Sequence, residues 1–165
     1  MKTVSMPFMA SFAGSSADSS ARLNSIFITM QIEACLICDS ASDYHGKLCI
    51  LGAFDSIGAH QAPLVHPHCA TVVRLRFERS EEGKHPFRLI LIDQDGRPHG
   101  PRIDGEVNVV FNPEHETVVT NLILNVNGLQ LPRFGVFHFD LIVDGSLKAR
   151  MPLYVRQVNQ MPKAA

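Results

Sequence analysis

The amino-acid sequence predicts an all-β protein, an antiparallel β-sandwich of about eight short strands. Three observations carry this. Apolar and polar residues alternate with period two from Gln31 onward, the mark of strands with one buried face. Turn-forming residues cut the pattern at intervals of roughly 8–12 residues, the spacing of sandwiches and barrels. The chain carries no amphipathic helix of normal length, no internal repeat and no heptads.

Each strand follows from its residues. Gln31–Cys38 and Lys47–Phe54 are apolar on both parities, which predicts strands buried on two faces. A weaker strand is expected near Ala59–Val65, where Pro63 demotes it to an edge. Cys69–Arg79 is the clearest case. Val73, Leu75 and Phe77 share one parity, and Arg74, Arg76 and Glu78 share the other. Pro86–Asp93 sets Phe87, Leu89 and Leu91 against Ile90 and Ile92. Ile103–Phe111 sets Ile103, Val107, Val109 and Phe111 against Asp104, Glu106 and Asn108. Thr117–Val126 sets Val118, Leu122, Leu124 and Val126 against Asn121 and Asn125. Phe134–Val143 sets Phe137, Phe139, Leu141 and Val143 against His138 and Asp140, and Leu147–Val155 closes the series. Phe77, Leu89, Phe139 and Leu141 are therefore expected in the core. Asp95-Gly96 and Asn127-Gly128 are turn-forming pairs, and Asp144-Gly145 is the strongest hairpin signal. The run Phe134–Gly145 looks like the penultimate hairpin of many immunoglobulin-like domains, so the expected fold class is an immunoglobulin-like antiparallel β-sandwich.

The composition bounds the rest. With 165 residues, 45% of them hydrophobic and 19% charged, the chain holds one domain with a real core. The organisation expected is a disordered N-terminal extension at 1–30, the sandwich at 31–158 and a polar tail at 159–165. The formal net charge of -1 argues against nucleic acid as a partner, because phosphate binding needs a basic excess. No stretch approaches the apolar length of a membrane-spanning helix. The start, Met1 to Ser20, resembles a signal peptide weakly, since Ser5, Pro7 and Ser11 interrupt its apolar run. Met30 is an alternative start.

The stretch Ala34-Cys-Leu-Ile-Cys-Asp39, followed by Gly46-Lys-Leu-Cys-Ile-Leu-Gly-Ala-Phe-Asp55, resembles the opening of DUF6941, a family of short, uncharacterised bacterial proteins. Leu91–Gly96 and Phe139–Gly145 extend the resemblance to about Gln31–Val155. It implies a small cytoplasmic β-sandwich. It carries no catalytic or binding residues, so it implies no activity.

Five chemistries have candidate residues. Zinc favours Cys and His ligands, which Cys35, Cys38, His66, His68 and Cys69 supply. However, residues three apart on a strand face opposite sides, so Cys35 and Cys38 do not converge unless a bulge falls at Leu36-Ile37. Cys49 is expected near Cys35 or Leu36, and Cys69 away from the other three. Thioredoxin-type redox chemistry lacks its helix and βαβ context. Asp93, Asp95 and Asp104 are the carboxylates of a candidate calcium loop without EF-hand spacing. His138 and Asp140 form a possible dyad on one strand face, but no Gly-x-Ser-x-Gly elbow accompanies them. Arg74, Arg76 and Arg88 form a basic set interrupted by Glu78, with two Tyr and no Trp in the chain to stack bases. The leading reading is a non-enzymatic binding or structural module with no cofactor and an unidentified protein partner. The alternative is a metal-binding protein or metal-dependent enzyme using His66, His68, Cys69 and Cys35 or Cys38.

Overall fold

The computed structural model describes residues 30–158. The expectations for the N-terminal extension before Met30 and for the 159–165 tail fall outside the described residues. Among the described residues nine strands form two sheets. They are β1 (Gln31–Tyr44), β2 (Lys47–Phe54), β3 (Ser56–Ala59), β4 (Leu64–Glu78), β5 (Gly83–Asp93), β6 (Pro98–Val109), β7 (Thr117–Leu131), β8 (Gly135–Val143) and β9 (Ser146–Gln157). One sheet has the order β2-β1-β4-β7 and the other β3-β9-β8-β5-β6. This is the two-layer sandwich that the alternation predicts. All pairings are antiparallel except β3 with β9, which is parallel. The strand expected near Ala59–Val65 does not exist as one piece. Its residues divide between the end of β3 and the start of β4, with Ala62-Pro63 in the connection.

The core lies between the sheets and follows parity. Val73, Leu75 and Phe77 of β4 meet Leu89 and Leu91 of β5 and Phe137, Phe139 and Leu141 of β8, all at most 1% exposed. Packing of this kind is non-directional, so alternation alone selects which face turns inward. Two turns sharpen the strand ends. Asp144-Gly145 closes β8 to β9 with both residues at positive φ (52° and 74°), as a two-residue hairpin turn requires. His45-Gly46 does the same for β1 and β2 at 52° and 76°, so β1 runs on to Tyr44 instead of stopping at Cys38. Asn127-Gly128, in contrast, is not a turn. Gly128 at φ 61° lets β7 continue to Leu131. The buried parity switches there, from Val126 to Leu129 and Leu131.

Burial on two faces holds in β1 only around Cys35–Cys38, where Ile37 lies in the main core and Cys38 in the outer cluster, and it does not hold for β2. β2 is an edge strand and mostly exposed. Its apolar residues have a different use. The far half of the β1–β2 hairpin folds back over the outer face of its own sheet. There Ala41 and Leu48 pack with Leu36 and Ile123 around the buried Cys38, Ala70 and Val72. The Gly46 carbonyl accepts from Arg74 Nη1 and from Asn121 Nδ2, each at 3.3 Å, which pins the tip. The bend falls where Asp39 stands opposite Gly52. Gly52 has φ 65°, and any side chain on it would collide with the Asp39 carboxylate. A β-carbon is excluded there twice, by backbone conformation and by space.

Two outcomes check this packing. Phe139→Ala should lower the free energy of unfolding by roughly 3–5 kcal/mol, read from urea denaturation. Leu48→Asp should speed amide hydrogen exchange between Ser40 and Leu51 and leave β8 protected. Equal acceleration in β8 would mean that the hairpin does not open independently of the core.

Candidate functional site

The candidate metal residues are placed apart. Cys35 packs against the main core, and Cys38 lies in the outer cluster beneath the hairpin, so alternation separates them as the strand geometry demands. The register irregularity of β1 falls between Ile32 and Ala34, not at Leu36-Ile37. Cys49 stands opposite Ser42 and is exposed. The expectation that it neighbours Cys35 or Leu36 fails because the hairpin turn sits at His45-Gly46 and shifts the register. Cys69, expected away from the other three, is buried in the main core near Cys38, because β4 pairs with β1 and sets Ala70 opposite Cys38. His66 packs edge-on against Phe54, whereas His68 is exposed and bonds Asn127 Oδ1 at 2.7 Å. Among the described residues no three His, Cys, Asp or Glu side chains converge as a metal site would require. Burial also favours the protonated form of Cys35, Cys38 and Cys69. It pushes Cys69 up to about 11, with Cys38 and Asp39 adding to the shift, and it raises Cys35 as well. Thiolate is the form that coordinates metal or attacks an electrophile.

The other candidate groups each have a separate partner. Asp140 is held by Arg150 through two bonds of 2.7 Å, Nε to Oδ1 and Nη2 to Oδ2, and this bidentate clasp takes both carboxylate oxygens away from His138. Arg74 and Arg76 share Glu33, at 2.8 and 2.6 Å. Arg88 belongs to the other sheet and shares Asp104 with Arg102. The arginines thus form no common basic face. Asp104 is likewise committed, so the three carboxylates of the calcium reading do not act together.

The best-defined polar arrangement is at the end of the sandwich where β5 turns into β6. Asp93 is buried there. Its Oδ1 accepts the backbone N–H groups of Asp95 and Arg97, both at 2.9 Å, and shapes the turn. Its Oδ2 accepts from His99 Nε2 and from Arg133 Nη2, again both at 2.9 Å. Burial alone would raise the Asp93 carboxyl. The N–H of Arg97, the His99 ring and the N–H of Asp95 outweigh it and hold it down at about 2. Four donors on one carboxylate join three segments: the β5–β6 turn, the start of β6 and the β7–β8 connection. Beside this network lies a cleft of about 350 Å3, walled by Pro63, Leu64, Val65, Leu131 and Pro132 and edged by His99. The sequence marked Asp93 as a carboxylate but gave no sign of His99 or Arg133. They lie 6 and 40 residues further along, and only the fold brings them together.

A second surface is the outside of the hairpin. Leu51 is 71% exposed, Tyr44 62% and Ile50 39%, and among the described residues β2 has a strand on one side only. Unpaired edges of this kind present free N–H and C=O groups.

A pH dependence follows from Asp93. Its folded-state value lies below the 3.8 of an unperturbed aspartate, so it stabilises the fold fully above about pH 4. That contribution is lost as the pH falls towards 2. Urea midpoints measured between pH 5 and pH 2 should fall more steeply for the native chain than for Asp93→Asn. Parallel profiles would mean that Asp93 does not carry the acid sensitivity.

Among solved structures the chain is similar to an immunoglobulin-like protein from Pseudomonas aeruginosa, with 14% sequence identity and a TM-score of 0.31 over 77% of this chain and 96% of that one. No curated protein matches the chain. The model of a family of unknown function, DUF6941, matches residues 33–156. That span runs from β1 to β9 and contains both the Asp93 network and the hairpin, and the chain belongs to this family.

Proposed function

We propose that this chain is a non-enzymatic binding module whose edge strand β2 pairs with an extended, partly apolar segment of a partner protein. The observation that carries the reading is the hairpin's outer edge, where an open strand edge and the exposed Leu51, Ile50 and Tyr44 coincide. A segment added to such an edge gains backbone hydrogen bonds along its length, and its alternate side chains meet the apolar residues. Native proteins usually blunt free edges with charge, proline or a covering element. From Leu48 to Phe54, β2 has no charge and no proline. The separate engagement of Asp140, Asp104 and the arginines, and the protonated buried thiols, support a binding role over catalysis.

Panning a random peptide library on the purified chain tests this. Selected peptides should alternate apolar and polar residues, and Leu51→Lys should weaken them at least about tenfold, the effect of roughly 1.4 kcal/mol. N-methylation of alternate peptide amides should abolish binding, because it removes the strand's donors. Peptides that tolerate both changes would overturn the edge-pairing reading.

A further inference from the structure

We infer that the cleft beside Asp93 is a binding site for a small neutral aromatic molecule carrying one hydroxyl, with His99 Nδ1 as its hydrogen-bond acceptor. This inference is independent of the hairpin edge, since none of the residues involved belongs to β1 or β2.

The argument begins with the proton on His99. At neutral pH Asp93 is a carboxylate and only accepts hydrogen bonds. The ring nitrogen facing it, Nε2 at 2.9 Å from Oδ2, must therefore carry the proton. In the neutral imidazole Nδ1 then holds a lone pair. Nδ1 bonds no described residue and is not sealed within the protein. The ring is fixed from two sides, by Asp93 and by the edge-on Phe137 ring at 5.9 Å. Arg133 completes the hold, because it binds the same Asp93 oxygen. The lone pair is thus positioned before any ligand arrives, which lowers the ordering cost of binding.

The walls determine the rest of the ligand. Pro63, Leu64, Val65, Leu131 and Pro132 are apolar, and Gln130 and His99 are the polar side chains of the lining. Among the described residues no carboxylate, ammonium or guanidinium lines the cleft, so an ionic ligand would lose its hydration without compensation. The volume of about 350 Å3 lies at the lower end of small-molecule sites, which suits one ring and a short substituent. A hydroxyl on that ring supplies the single donor that Nδ1 can accept. Among the described residues the lining includes no serine, cysteine or threonine to act as a nucleophile, so the assignment is binding and not turnover.

The test uses the full chain with histidine side chains labelled with 15N. Long-range 1H–15N spectra at pH 7.5 should first give the Nε2-protonated tautomer for His99. Titration with 4-ethylphenol should then shift His99 Nδ1 saturably. Ethylbenzene, which has the same shape without the donor, should bind about tenfold more weakly, the worth of one hydrogen bond. Val65→Trp fills the cleft from an exposed wall position and should abolish the shift without unfolding the chain. The Nδ1-protonated tautomer, a ring protonated on both nitrogens, equal binding of ethylbenzene, or unchanged binding by Val65→Trp would each overturn the inference. So would a Gly-Tyr-Gly peptide that binds more tightly than free 4-ethylphenol, since the occupant would then be a protein side chain.

Discussion

Side chains on a pleated strand leave it alternately on opposite sides, and the consequences of that constraint reach every part of this molecule. It builds the core, because Val73, Leu75 and Phe77 on one sheet can face Phe137, Phe139 and Leu141 on the other without any polar residue between them. It also distributes the reactive side chains. Cys35 and Cys38 are close in sequence yet lie on opposite faces of β1, one in each apolar cluster. Arg74 and Arg76 share a face and so can share Glu33. The same rule that makes a stable sandwich prevents neighbouring residues of one strand from gathering into a site.

The two candidate surfaces occur where the alternation is interrupted. At Gly52 the backbone takes a conformation that other residues avoid, and the hairpin bends back over the sheet. The bend buries Ala70 and Val72, which would otherwise face water, and it turns Leu51 and Tyr44 outwards. At Asp93 the strand ends in a turn held by one carboxylate. Its two oxygens bind backbone on one side and His99 and Arg133 on the other. A buried carboxylate without donors would be costly. Supplied with four, it fixes the turn and orients the imidazole at the mouth of an apolar cleft.

The two surfaces call for different physics. The hairpin edge offers unpaired backbone and exposed apolar area, so its natural complement is another strand. The cleft offers enclosure and one oriented lone pair, so its complement is a small molecule. Gly105 illustrates how closely the margin of the core is packed. The Phe87 ring, packed against the main core, crosses the cross-strand glycine where a β-carbon would stand.

Much of this was legible from the residues. Periodicity is a local property, so it identified the strands around Val73–Phe77, Phe87–Leu91 and Phe137–Val143 and the core residues on them. The Asp144-Gly145 turn was equally local, since positive φ at two positions leaves few residues to choose from. The outcome differed where a residue's surroundings come from distant chain. The apolar run Leu48–Phe54 reads as a doubly buried strand, but whether it is buried depends on what packs against it. Here that is the outer face of its own sheet, on one side alone. Asn127-Gly128 reads as a turn, yet the β4 ladder holds it in a strand through the pairing of His68 with Asn127. His99 and Arg133 gave no local signal. Alternation and turn chemistry determined the fold class, whereas the bend at Gly52 and the meeting of Asp93, His99 and Arg133 depended on contacts between distant segments that exist only once the sheets have packed.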